Sequence, residues 1–140
     1  MKRIFSLCAL LLLIALQLHA EGLEGVAVQT LARTSTSWDG AELPPYLEGT
    51  PEVTILRFTI APGATLPLHF HPVMNSGVLL KGQLTVTTQS GKVLHLKAGD
   101  AIVETVNTLH YGTNPGNEPV DLIMVYAGVT GEKITVLSDQ

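Results

Sequence analysis

The chemistry of this 140-residue chain concentrates in three histidines: His69 and His71 in Leu68-His69-Phe70-His71, and His110 in Leu109-His110-Tyr111-Gly112. Neutral imidazole is the commonest protein metal ligand. Residues two apart in an extended run project from the same face of a strand, so His69 and His71 supply half of a metal site. His110 completes it only if a second strand folds back beside the first. Asn75 is a further oxygen donor in reach: it either offers its amide oxygen to the ion or to water on it, or caps the turn before Ser76-Gly77. Glu104 interrupts an apolar run. Facing inward it is a carboxylate ligand or a catalytic base beside the metal; facing outward it is a solvated strand residue, which the usual exposure of glutamate favours. His95 shares a strand face with Val93 and Lys97 and reads as an exposed residue rather than a ligand.

The spacing is more specific than the histidines. Gly63 is followed by five residues, His69-x-His71, three residues, Asn75, six residues and Gly82; later come Gly99, His110 and, three residues on, Asn114. This pattern resembles the two consensus motifs of the cupin family. Asn75 stands where that family usually has Glu, and Thr105 and Asn107 stand where it usually has Pro and Gly. The resemblance implies an all-β fold, a cupin-type double-stranded β-helix or jelly-roll barrel, with His69, His71 and His110 turned into one cavity. It also implies one divalent transition metal (Fe, Mn, Ni, Cu or Zn), since availability rather than affinity selects among these for imidazole ligands. Cupins with three histidines include iron dioxygenases that act on thiols and diketones, so the expected activity is a metal-dependent oxygenation of a small anionic organic substrate. A non-enzymatic protein that holds an anion or a sugar-like molecule in the same cavity is the alternative. A fold alone does not choose between them.

The elements that must position these residues read as short strands. Val26 to Ala32 is β-like, and Ser35 to Gly40 breaks it with a turn signal. The run from Leu43 to Pro51, with Pro44, Pro45 and Pro51, is a loop; Trp38 and Tyr46 around it are expected either to close the cavity mouth as substrate-pocket residues or to pack the loop on the barrel. Val53 to Ile60 is the clearest strand, and Pro62-Gly63 ends it. Ser76–Leu80, Leu84–Thr88, Val93–Leu96, Ala101–Glu104, the segment bearing His110, Val120–Tyr126 and Ile134–Leu137 follow at a spacing typical of sandwiches and barrels. No segment carries a helical hydrophobic period long enough to compete. Edges left by such a sheet predict a homodimer that covers them.

The N-terminus reads as an export signal. Lys2 and Arg3 precede an apolar run from Ile4 to Leu18, and Leu18-His19-Ala20 offers a cleavage point before Glu21. The run is short for a spanning helix. Residues 1–20 are therefore expected to be removed, leaving a single cupin domain over 21–140, periplasmic or secreted, with no membrane contact. The remaining segment has 12 acidic and 6 basic residues, a net charge of −6. That excludes nucleic acid as a natural partner and leaves a small molecule. The sole cysteine, Cys8, departs with the signal, so the core alone must hold the fold. Mass spectrometry of the protein from its native host should find an N-terminus at or near Glu21 outside the cytoplasm; an intact Met1 in membrane fractions would show an anchor instead.

Overall fold

The computed structural model describes residues 25–138, and the export-signal reading of residues 1–20 lies outside them. Nine strands form two antiparallel sheets. They are β1 (Pro51–Ile60), β2 (His69–Phe70), β3 (Met74–Lys81), β4 (Gln83–Thr88), β5 (Val93–Lys97), β6 (Ala101–Val103), β7 (His110–Thr113), β8 (Val120–Val129) and β9 (Val136–Leu137). One sheet runs β1-β8-β3-β6 and the other β5-β4-β7-β2-β9. No helix occurs among the described residues, as expected for an all-β jelly roll.

Each sheet is amphipathic by alternation. Leu56, Phe58 and Ile60 of β1 and Val120, Leu122, Met124 and Tyr126 of β8 turn inward, while Val53, Ile55 and Arg57 turn out. Leu79 of β3, Leu84 and Val86 of β4, Leu96 of β5 and Ile102 of β6 close the core from the other strands. The expected strand over Val26–Ala32 does not form. Those residues pair with no strand and stay exposed, Val28 at 74%, so their β-like composition is not matched by a partner.

The spacing of the motifs has local causes. Gly82 follows an irregularity in the pairing of β3 with β8, sits at φ +81°, and lies so close to Pro119 that a Cβ would stand 3.0 Å from its carbonyl oxygen; only glycine meets both conditions. Asn107, in the usual glycine position, is the one non-glycine residue with positive φ among the described residues, at 53°. Asparagine tolerates that conformation better than other side chains, so the replacement keeps the turn. Its N–H donates to the His71 carbonyl at 2.9 Å, which ties the loop before β7 to the end of β2.

Asn114 is wholly buried and serves as a clamp. Its Nδ2 donates to the carbonyls of Ile60 (3.0 Å) and Glu118 (2.8 Å), and its Oδ1 accepts from the Gly116 N–H (2.9 Å). It joins the end of β1 to the turn between β7 and β8. Replacing Asn114 with Ala strands these backbone groups and should destabilise the fold by about 2–4 kcal/mol, read as a lower midpoint in urea denaturation with the slope unchanged.

Candidate metal centre

The register of the five-stranded sheet brings the histidines together. His69 of β2 is the direct cross-strand partner of His110 of β7, so both side chains leave the same face. His71 follows two residues after His69. The ring centroids lie 4.5 Å (His69–His110), 4.9 Å (His69–His71) and 5.1 Å (His71–His110) apart, and one ligand nitrogen from each falls within 4.8 Å of the others. The sequence expectation of a shared cavity thus agrees with the geometry.

Hydrogen bonds fix the tautomers. Each Nδ1 faces a main-chain carbonyl oxygen: His69 to Pro67 at 2.7 Å, His71 to Ile134 at 2.8 Å and His110 to Thr108 at 2.8 Å. A carbonyl only accepts, so every Nδ1 carries the proton and every Nε2 presents a lone pair. Burial lowers the proton affinity of all three rings, that of His71 to about 4. Protons therefore compete for these nitrogens only at a pH below the ordinary imidazole range.

Glu104 is buried at 6% exposure, which overturns the solvated reading. It follows β6 directly, and its N–H donates to the Asn75 carbonyl at 3.0 Å, so it continues the inward alternation of Ile102. Oε1 accepts from Trp38 Nε1 at 2.9 Å and stands 3.7 Å from His110 Nε2. Burial raises the carboxyl's affinity for a proton, and the Trp38 hydrogen bond opposes that. Three imidazole lone pairs and a carboxyl group therefore converge, with the Trp38 indole N–H and the Thr105 main-chain N–H donating to the carboxyl. Acceptors turned on one another in a dry cavity repel, and a cation is what resolves them.

Asn75 behaves differently from its capping reading. It lies in β3 opposite Tyr126 of β8, on the inward face, 4% exposed, and neither Oδ1 nor Nδ2 has a hydrogen-bond partner. Tyr126 connects it to the site, since its ring lies 5.4 Å from that of His71. Its phenol is pushed up to about 12 by burial and pairs with Thr135. An unpartnered buried amide is satisfied by water or an ion, and this one stands beside Tyr126 and borders the groove at Ser76 and Val125 rather than the histidine cavity itself. The chain's own donors thus fit a divalent metal.

Of the two readings of Trp38 and Tyr46, closing the cavity mouth or packing the loop on the barrel, Trp38 follows the second and neither residue covers the mouth. Tyr46 is 83% exposed and adjoins a groove on the outer face of the four-stranded sheet, beside Ser76 and Val125. Trp38 docks on the edge of β6, its N–H donating to the Val103 carbonyl, and stands behind Glu104 rather than over the cavity. The exposed Pro67 and Leu137 form the rim instead. His95 is exposed and shares a hydrogen bond with Thr85, as expected of a residue outside the site. Sequence reading missed Tyr126 and Gly112 as cavity residues. The alternation Val120-x-Leu122-x-Met124-x-Tyr126 was the signal for the first.

Comparison with known proteins accords with this geometry. The family description "Cupin domain" matches residues 56–126. The chain is 33% identical over 79 residues to germin-like protein subfamily 2 member 3 of Arabidopsis thaliana, covering 53% of this chain and 36% of that protein. It thus spans about a third of the length of this curated relative. Among solved structures, a conserved protein with a double-stranded β-helix domain from Klebsiella pneumoniae superposes with TM-score 0.56 at 24% identity, over 67% of this chain and 81% of that one. An oxalate oxidase in complex with the substrate analogue glycolate gives TM-score 0.52 at 25% identity, over 61% and 45%. A Lactobacillus farciminis oxalate decarboxylase with formate gives TM-score 0.51 at 24% identity, over 64% and 27%.

The neutral histidines give the metal-free chain a defined pH dependence. Between the ordinary value of about 6.5 and the folded value of about 4, the unfolded chain takes up a proton at His71 that the folded chain refuses, so stability falls as pH falls through that window. His71 alone should remove on the order of 3 kcal/mol by pH 4, with Glu104 acting in the opposite sense. Urea denaturation of chelator-treated protein at pH 7 and pH 4, compared with His71→Gln, reads this difference directly.

Proposed function

The chain belongs to the cupin family, and on that premise we propose that it is a metal-dependent cupin that acts on a small anionic organic substrate at His69, His71 and His110. The observation that carries this reading is the commitment of all three Nδ1–H groups to main-chain carbonyls, which leaves three Nε2 lone pairs convergent beside the Glu104 carboxylate. Asn75 stands in the family's carboxylate position. A divalent ion held there supplies Lewis acidity and a positive charge for an anionic ligand, and iron or manganese would add oxygen chemistry. The likeness to an oxalate oxidase with glycolate bound supports a small oxygen-bearing acid as ligand.

The protein's own residues have separable tasks. Glu104 lines the cavity next to His110 and, with its raised proton affinity, accepts a proton from a bound acid as general base. Trp38 donates to Glu104 and so favours its anionic form. Tyr126 stays protonated and packs beside His71. Action outside the cytoplasm, on a ligand encountered there, belongs to the same proposal through the export signal.

Elemental analysis of protein from its native compartment should find one equivalent of a transition metal, and iron or manganese together with oxygen uptake would establish the oxygenase; metal without turnover would establish the binding protein. At a free-ion concentration a hundred times Kd, binding should stabilise the fold by about 2.7 kcal/mol, and a chelator should reverse it. His110→Ala should abolish that shift. Glu104→Gln should keep metal and lower turnover by about a hundredfold or more. Asn75→Glu should tighten the metal and weaken anionic ligands.

A further inference from the structure

The cavity is polar at one end only, and this is set by register. Across the five-stranded sheet, Thr88, His110, His69 and Leu137 are successive cross-strand partners. The next inward position pairs Val86 with Gly112. On the facing sheet the inward sequence is Asn75 opposite Tyr126, then Gly77 opposite Met124, then Leu79 opposite Leu122. Moving along the barrel from the histidines, the lining therefore changes from imidazole, carboxyl and phenol to Val86 and Met124, and then to Leu84, Leu122 and Phe58. The space between is a cavity of about 190 Å³. At about 30 Å³ per water, that is room for roughly six or seven non-hydrogen atoms.

The two glycines at the middle level are not equivalent. A Cβ on Gly77 would run into Met124 Sδ, so the methionine fills that gap. A Cβ on Gly112 would meet nothing nearer than Leu84 Cδ1 at 3.4 Å and Leu66 Cδ1 at 3.5 Å, and Gly112 has ordinary strand φ. Gly112 lines the cavity one level below the histidines, and a methyl group there would enter it in ordinary contact with the two leucines, while a larger side chain would take up space that the cavity now holds. Charge adds a second constraint. A divalent ion held by three neutral imidazoles is offset by one negative charge while Glu104 is ionised, and a second negative charge on a ligand would then face that carboxylate at short range.

We infer that the ligand is a monoanion with a short apolar tail, its acidic head at the histidines and its tail running past Gly112 between Val86 and Met124, and that Gly112 sets the tail length. This rests on the metal reading and narrows its substrate to an acid of roughly four or five carbons. Compact dianions such as oxalate are poor ligands.

The test uses cobalt(II)-loaded protein and a series of straight-chain carboxylates from acetate to octanoate, with oxalate alongside, by calorimetry. Affinity should rise about fourfold per methylene, the ordinary gain for burying one, up to butanoate or pentanoate, and then fall; oxalate should bind more weakly than butanoate. Gly112→Val should move the maximum about two carbons shorter while cobalt and acetate affinities stay unchanged, and Gly112→Ala about one. Should these fold poorly, Leu122→Ala opens the far end and should move the maximum to longer acids. A profile independent of chain length, one unmoved by these variants, or a preference for oxalate, overturns the inference and leaves the metal centre standing. Failure to take up cobalt overturns the metal reading, and the inference with it.

Discussion

The carbonyl oxygens of Pro67, Thr108 and Ile134 each accept a hydrogen bond from an imidazole Nδ1–H, and the character of the cavity follows from that. With those protons committed to the backbone, the rings cannot rotate or exchange tautomers without losing a hydrogen bond, so three Nε2 lone pairs are held facing one another. Two of the three carbonyls lie two residues before the histidine they hold, so each of those ligands is oriented by the segment that leads into its own strand. The third comes from Ile134, just before β9, which makes the chain near its C-terminal end part of the site's geometry.

This preorganisation has a cost that the rest of the barrel offsets. Neutral imidazoles, an unpartnered amide and a buried carboxylate are unfavourable neighbours in a medium of low polarity. They persist because the rest of the barrel is held independently of them: the Asn114 bonds tie the two sheets together, and the long pairing of β1 with β8 holds the four-stranded one. The polar end is the part of the barrel that gains most from a bound cation, and the apolar end is the part that carries the fold without one.

Much of this was legible in the residues. The alternation of Val53–Ile60 and Val120–Tyr126, the turn signals and the His-x-His spacing gave the strands and placed three histidines on one face. What the pattern could not give was the long-range pairing. Glu104 looked like a solvent-facing strand residue because burial of a carboxylate depends on a partner, and its partner, Trp38, lies 66 residues away in sequence. Val26–Ala32 has strand composition and no strand, since pairing requires a vacant edge at the right place and composition does not report one. For Tyr46, in the Pro-rich loop, sequence left open whether it closes the cavity mouth or packs on the barrel, and it lies exposed beside the groove at Ser76 and Val125.

The contact between Trp38 and Glu104 also makes the protein its own optical probe. Trp38 is the sole tryptophan in the chain, and its indole N–H is bonded to a carboxylate that lines the cavity. Indole emission responds to the charge and hydrogen bonding of that N–H. Whatever changes the electrostatics at Glu104, an arriving cation or a departing acid, is thus written into the wavelength and intensity of a single fluorophore, without any label attached.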